Sequence, residues 1–337
     1  MDILIIKLGA IGDVLRTTAI LPGLREKYPD SLVTWVTKAD SFDILKNNEF
    51  IDKLHLIQEN LAEKFKDVEF DLVINLDDDL EACKLASSLR SKKIIGTYLD
   101  DDKKVYTDDS SSWFEMGLIS KFGKEKADEL KALNKKTYQS ILFDILGIEN
   151  KDYEPQLNLQ NEDIRFGKKF LERNEVNKKA LLIGINTGAG GRWQDKKLSV
   201  EQTVELIKKL DDEVKNKKLI LFGGPEEKER NKEILEKSDV NVIDAGCENT
   251  LMEFASLVNL CKILITSDSL AMHIGIALKK KVICFFYSTS SSEIELYNRG
   301  IKIIGKGEDY CSYKPKCDIP PKWNIDDFID GVKKLSS

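Results

Sequence analysis

Short runs of Ile, Leu and Val recur along this chain, and most are followed by a stretch with helical spacing. The first half carries "DILIIKL", "LVTWVT", "KLHLI", "DLVINL" and "KKIIGTY", separated mostly by helix-like segments such as Val14 to Tyr28 and Leu80 to Leu89. A strand that is apolar at nearly every position is buried on both faces, and strands joined through helices run parallel. The rhythm breaks between Asp100 and Lys151, where an acidic loop precedes helices, and "ENKDYEPQLNLQNEDI", with Pro155, reads as a linker. The alternation then restarts with "ALLIGINTG", "KLILFGG", "NVIDAG", "KILITSD" and "KVICFFY". With 337 residues against roughly 100–200 for one domain, two doubly wound α/β domains are predicted, over residues 1–155 and 156–337.

Composition narrows the function. A balance of 42% hydrophobic and 33% charged residues is that of a soluble globular enzyme. A net charge of −6 argues against nucleic acid as a partner. No apolar stretch approaches the roughly 20 residues of a bilayer span, and the N-terminus lacks a cationic leader region, so a cytoplasmic protein is expected. His55 and His273 are the only histidines, which removes multi-histidine metal sites. Cys83, Cys247, Cys261, Cys284, Cys311 and Cys317 form no C-x-x-C pair, and reduced thiols are expected. Cys311 and Cys317, in "CSYKPKCDIPPKW", read more plainly as two free thiols of a loop than as a disulfide or metal staple.

In doubly wound sheets, ligands bind beyond the carboxyl ends of the strands. The first such loop is "KLGAIGDVLRTT". Its G-x-x-G-D spacing differs from the G-x-G-x-x-G of dinucleotide folds, and no ribose-binding acid follows the second strand, so a nicotinamide enzyme is disfavoured. Taken alone, Asp13 is expected to cap the helix that follows. In "NTGAGGRWQDKKLS", glycines admit a phosphate to backbone N–H groups, and Thr187, Arg192 and Lys196 would bind it. In "FGGPEEKER", Pro225 opens a helix, and Glu226 and Glu227 either complement its dipole or grip ribose hydroxyls. In "ITSDSLAMHIGIAL", Asp268 or Ser269 would cap a helix whose N-terminus suits an anion. His273 lies one turn in, and ligand contact and a structural role are equally open for it. "FFYSTSSSE" is a fourth polar loop.

Four stretches, "KLGAIGDVLRTTAILPGLREKYP", "NTGAGGRW", "GGPEE" and "DSLAMHIGIAL", resemble glycosyltransferase family 9, the ADP-heptose:lipopolysaccharide heptosyltransferases. Their order and spacing agree over nearly the whole chain. The resemblance implies the GT-B fold, with two Rossmann-like doubly wound parallel-sheet domains facing across a cleft. The acceptor would bind the N-terminal domain and the nucleotide sugar the C-terminal domain, whose last helix, "NIDDFIDGVKKL", would return towards the first domain.

The resemblance further implies an inverting, metal-independent transfer without a cofactor, in which Asp13 is the general base taking the acceptor's proton. Gly12 and Arg16 lie beside it on the acceptor side. Thr187, Gly188, Arg192, Lys196, Glu227, Asp268, Ser269, Leu270, Ala271 and His273 would contact the donor, ADP-heptose. The implied acceptor is a lipopolysaccharide core or a related glycolipid or oligosaccharide, which would allow peripheral contact with the inner face of the cytoplasmic membrane. Its anionic groups would meet Arg16, Lys38, Lys92 or Lys93. The same fold also suits a transferase using another nucleotide sugar, or a non-catalytic nucleotide-sugar-binding protein. Two departures bear on the donor. Leu270 stands at the glycine of D-[ST]-G-x-x-H and Tyr287 at the glycine of F-G-P-T, so each side chain would narrow the pocket or reshape the phosphate loop. "SSSWFEMGLISKFGKEK" reads as a core-facing helix rather than an acceptor-side lid.

Overall fold

The computed structural model describes residues 1–177, 179–191, 193–314 and 316–336. The chain divides into two compact units, Met1–Asn158 with Ser292–Glu295, and Leu159–Ser291 with Leu296–Ser337. In the first, β1 (Asp2–Ile6), β2 (Leu32–Thr37), β3 (Lys53–Leu56), β4 (Leu72–Asn75), β5 (Ile94–Asp100) and β6 (Lys103–Tyr106) form one sheet in the order β3-β2-β1-β4-β5-β6. Every pair is parallel except β5 with β6, which run antiparallel. β4 is buried at every residue, as its apolar run demands.

The helix predicted over Val14 to Tyr28 is two helices, Ile11–Thr17 and Ile20–Lys27. The hydroxyls of Thr17 and Thr18 donate back to the carbonyls of Asp13 and Leu15, at 2.7 and 2.6 Å. Such back-bonding competes with the helical ladder and lets the chain turn at this point.

In the second unit, β7 (Leu181–Asn186), β8 (Lys217–Phe222), β9 (Val242–Asp244), β10 (Ile263–Ser267), β11 (Lys281–Phe286) and β12 (Gly300–Ile304) form an all-parallel sheet ordered β12-β11-β10-β7-β8-β9. Both sheets thus start at a central strand, build outward on one side, then return to the centre and build outward on the other. That is the Rossmann succession, and it puts a crevice where the order reverses, beyond β1 and β4 and beyond β7 and β10.

The terminal helix, Ile325–Ser336, seats Ile325, Phe328, Ile329 and Val332 in the second core with Ile283 and Phe285 of β11. Burying each such side chain contributes about 1.5–3 kcal/mol before the chain-ordering cost. No described helix is long and apolar enough to cross a membrane.

Candidate active site

At the first switch point Lys7 follows β1 and Asp77 follows β4. The Lys7 ammonium is buried, donates to the Leu76 carbonyl at 2.6 Å and lies 3.4 Å from the Asp77 carboxylate. The same carboxylate oxygen accepts the N–H groups of Leu8 and Gly9, both at 2.7 Å. A Cβ on Gly9 would come 3.3 Å from it, so the backbone here runs close against Asp77. The loop that enters the Ile11–Thr17 helix is therefore pinned from beneath. Burial alone would pull the Lys7 ammonium down, but Tyr138, Asp77 and Asp13 outweigh it and hold its pKa above the ordinary lysine value.

Asp13 is not the helix cap that its spacing predicts. Ala10 holds that position, with φ −54° and ψ 147°, and makes no side-chain cap. Asp13 lies inside the first turn, where its N–H donates to the Ala10 carbonyl at 2.8 Å, and 39% of its side chain is exposed. Arg16 donates to the Asp13 carboxylate at 2.8 Å, and its guanidinium stands 3.8 Å from the Tyr138 ring centroid and 4.0 Å from the Glu293 carboxylate. Gly12 is buried in the same turn.

The other candidate cations do not join this group. Lys38 pairs with Asp79 at 3.1 Å, Lys92 with Asp71 at 2.6 Å and Lys93 with Asp109 at 2.9 Å. The "SSSWFEMGLISKFGKEK" stretch divides. Phe114 is buried and Trp113 packs edge-on to Tyr138 at 4.8 Å, but Leu118 and Phe122 are 85% and 52% exposed, so the core-facing expectation holds only for its first turn.

At the second switch point Lys196 donates to the Asp268 carboxylate at 2.7 Å, and the Thr289 hydroxyl donates to the same oxygen at 2.7 Å. Burial alone would raise the Asp268 carboxyl, but Lys196, His273 and the Thr289 hydroxyl outweigh it and bring its pKa down to about 2. His273 is buried on the Leu270–Ala277 helix, where Ala271 is also buried and Leu270 is half-buried at the first position. Neither Asp268 nor Ser269 caps this helix. Ser269 has the N-cap position, but its hydroxyl lies 3.0 Å from that of Thr266, so the first-turn N–H groups keep no side-chain cap.

Across β7 from that pair, Glu227 is buried, accepting from Lys197 at 2.7 Å and from the Gly224 N–H at 3.1 Å. Glu226, its neighbour, is exposed. A Cβ on Gly188 would lie 2.8 Å from the Glu227 carboxylate, which explains the glycine. The Thr187 hydroxyl donates to Asn231 at 2.5 Å, and the Asn231 amide reaches the Cys247 sulfur at 3.6 Å. Arg192 lies outside the described residues.

Tyr287, in the fourth polar loop, has partners further along the chain. Its ring is buried, and its hydroxyl donates to the Ile319 carbonyl at 3.0 Å and accepts the Asp309 N–H at 3.3 Å, which commits the side chain to the segment after β12. Among the described residues no disulfide joins Cys311 to Cys317.

Lys7, Asp77, Tyr138, Thr289, Glu293, Lys197 and Asn231 escape the sequence reading. Only Lys7 carries a visible signal, a lysine closing a run that is otherwise apolar.

Two Rossmann-ordered units, each with polar loops at its switch point, give this chain the GT-B fold. Residues 59–321 match the family model for glycosyltransferase family 9 (heptosyltransferase), and the chain belongs to that family. It is 24% identical over 332 residues to the lipopolysaccharide heptosyltransferase 1 of Campylobacter coli, covering 93% of this chain and 92% of that relative. Among solved structures, a glycosyltransferase family 9 protein from Veillonella parvula superposes with a TM-score of 0.78 at 19% identity, covering 99% of this chain and 96% of its own. The ADP-heptose lps heptosyltransferase II of E. coli superposes with a TM-score of 0.67 at 17% identity, covering 100% of both chains.

Proposed function

We propose that this glycosyltransferase moves heptose from ADP-heptose to a lipopolysaccharide core or a related glycan acceptor, with inversion, and with Asp13 as the general base. The observation that carries the reading is the partly exposed Asp13 carboxylate beyond the end of β1, held by Arg16 above the buried Lys7–Asp77 pair. A carboxylate there takes the proton from the acceptor hydroxyl as that oxygen bonds to the anomeric carbon. The bond from the anomeric carbon to the diphosphate oxygen breaks, and ADP leaves with the electron pair.

The leaving diphosphate meets Lys196, Arg192 and the uncapped N–H groups of the Leu270–Ala277 helix, so the protein itself supplies the positive field. Thr187 and Gly188 contact the phosphates or the donor sugar, and Glu227 the nucleoside. Asp268, Ser269, Ala271 and His273 lie along the donor. Family membership supports the transfer, and the names of the E. coli and Campylobacter coli relatives support the donor and the acceptor. A lipid-anchored acceptor brings the enzyme to the inner face of the cytoplasmic membrane. Leu270, half-buried at the head of its helix, favours a second reading in which the same chemistry uses another nucleotide sugar.

Calorimetric titration with ADP, UDP, GDP and their sugars, first without metal and then with Mg²⁺, tests the donor. Selective binding of ADP without metal is expected, and preference for UDP or GDP would overturn the heptose assignment. Asp13→Asn should cost about 10² or more in turnover while ADP affinity stays unchanged, and a variant that still turns over removes Asp13 as the base.

A further inference from the structure

We propose that Arg16 is a positioning residue for Asp13, fixing the direction of the carboxylate and keeping it ionised, while Tyr138 and Glu293 hold Arg16 in place. This rests on the reading of Asp13 as the general base. An aspartate and an arginine one turn apart on a helix usually make a solvated contact of little consequence. Here the pair is lopsided. The Asp13 side chain is 39% exposed, whereas those of Arg16 and Glu293 are 11% and 10% exposed.

The cation is held on several sides. Its guanidinium stands 3.8 Å from the Tyr138 ring centroid and 5.8 Å from that of Trp113. Tyr138 is itself fixed, with its hydroxyl 2.8 Å from that of Thr17 and its N–H donating to the Glu293 carbonyl at 2.9 Å. Thr17 closes the circuit by donating to the Asp13 carbonyl at 2.7 Å. Burying a guanidinium carries a desolvation cost, which the two carboxylates and the aromatic faces offset. The arrangement leaves one exposed carboxylate anchored to a cation that has little room to move.

The charged and titratable groups around Asp13 make its role specific. Lys7 lies beneath and senses Asp13, Arg16, Asp77 and Tyr138, and Glu293 faces Arg16 from the far side. Lys7 beneath it and Arg16 beside it place positive charge next to the Asp13 carboxylate, which favours its ionised form.

The test compares kcat–pH profiles of the wild type, Arg16→Met, Arg16→Lys and Glu293→Gln, with thermal midpoints as the check on folding. Arg16→Met is expected to lower kcat about ten-fold or more, to leave both KM values within about two-fold, and to move the acid limb of the profile to higher pH. Arg16→Lys should restore the acid limb but only part of kcat, because an ammonium lacks the planar fork. Glu293→Gln removes one carboxylate that shares Arg16 with Asp13 and should move the acid limb to lower pH, which keeps the proposal testable if Arg16→Met fails to fold. An acid limb unmoved in both variants overturns it, as does a raised acceptor KM with unchanged kcat. Asp13→Asn separates the two readings: turnover surviving there sinks the base assignment, whereas a dead Asp13→Asn beside an unmoved limb sinks only the role of Arg16.

Discussion

Lys196 and Asp268 allow the electrostatics of the second switch point to be tested by number. The Asp268 carboxyl titrates at about 2 in the folded protein against an ordinary 3.8. At about 1.4 kcal/mol per unit, this contributes about 2 kcal/mol of stability at neutral pH. The folded value lies below the unfolded one, so the contribution is complete above the ordinary carboxylate range and is lost as pH falls through 2. About half remains at pH 3. Lys196→Met removes the main cation and leaves a carboxylate whose side chain is only 17% exposed. The Thr289 hydroxyl and His273 stay, so the expected loss at pH 7 is about 2–3 kcal/mol, at or below the low end for a broken buried pair. Urea unfolding at pH 7 and pH 3 measures it, and the difference from wild type should shrink at the lower pH. Lys196→Met/Asp268→Asn should recover most of the loss, since no unpaired buried charge remains. A single-variant loss below about 0.5 kcal/mol, or a double variant no more stable than the single, would refute the account.

Gly188→Ala would push a methyl group against the Glu227 carboxylate, which Lys197 and Gly224 already hold. We expect about 1–3 kcal/mol of destabilisation and weaker ADP binding; a neutral substitution by both calorimetry and thermal melting would mean that Glu227 moves freely. Tyr287→Phe removes the partner of the Ile319 carbonyl and the Asp309 N–H. It should cost about 1–2 kcal/mol and speed proteolysis between Gly305 and Trp323, and unchanged protection would show that the segment is anchored elsewhere.

Much of the fold was readable because buried parallel strands need apolar residues on both faces, and the runs at β1, β4, β7 and β10 supply them. The edges were not. β6 reads "KKVY", with both lysines exposed, and an antiparallel edge strand needs no such run. β12, "GIKII", is also an edge, with only one buried residue. The loop spacing makes Asp13 a helix cap, but the helix starts where the backbone turns at Ala10, one residue after Gly9. The remaining partners lie far apart in sequence. Lys7 meets Leu76 across 69 residues, Lys196 meets Asp268 across 72, and Thr17 meets Tyr138 across 121. Periodicity and local spacing carry no record of such pairings; strand order creates the first two, by bringing the first and fourth strands of each sheet side by side, and the third joins two helices.

Lys196 carries its own anion. Under the proposed function, an arriving diphosphate displaces Asp268 from the ammonium, and each catalytic cycle exchanges one counter-ion for another. Net affinity is then a difference between two attractions, both large in a poorly hydrated site. The spent nucleotide faces a rival tethered beside it at constant effective concentration, and every departure is met by immediate recapture of the ammonium. Such internal competition limits product inhibition, a useful property where release can govern the rate.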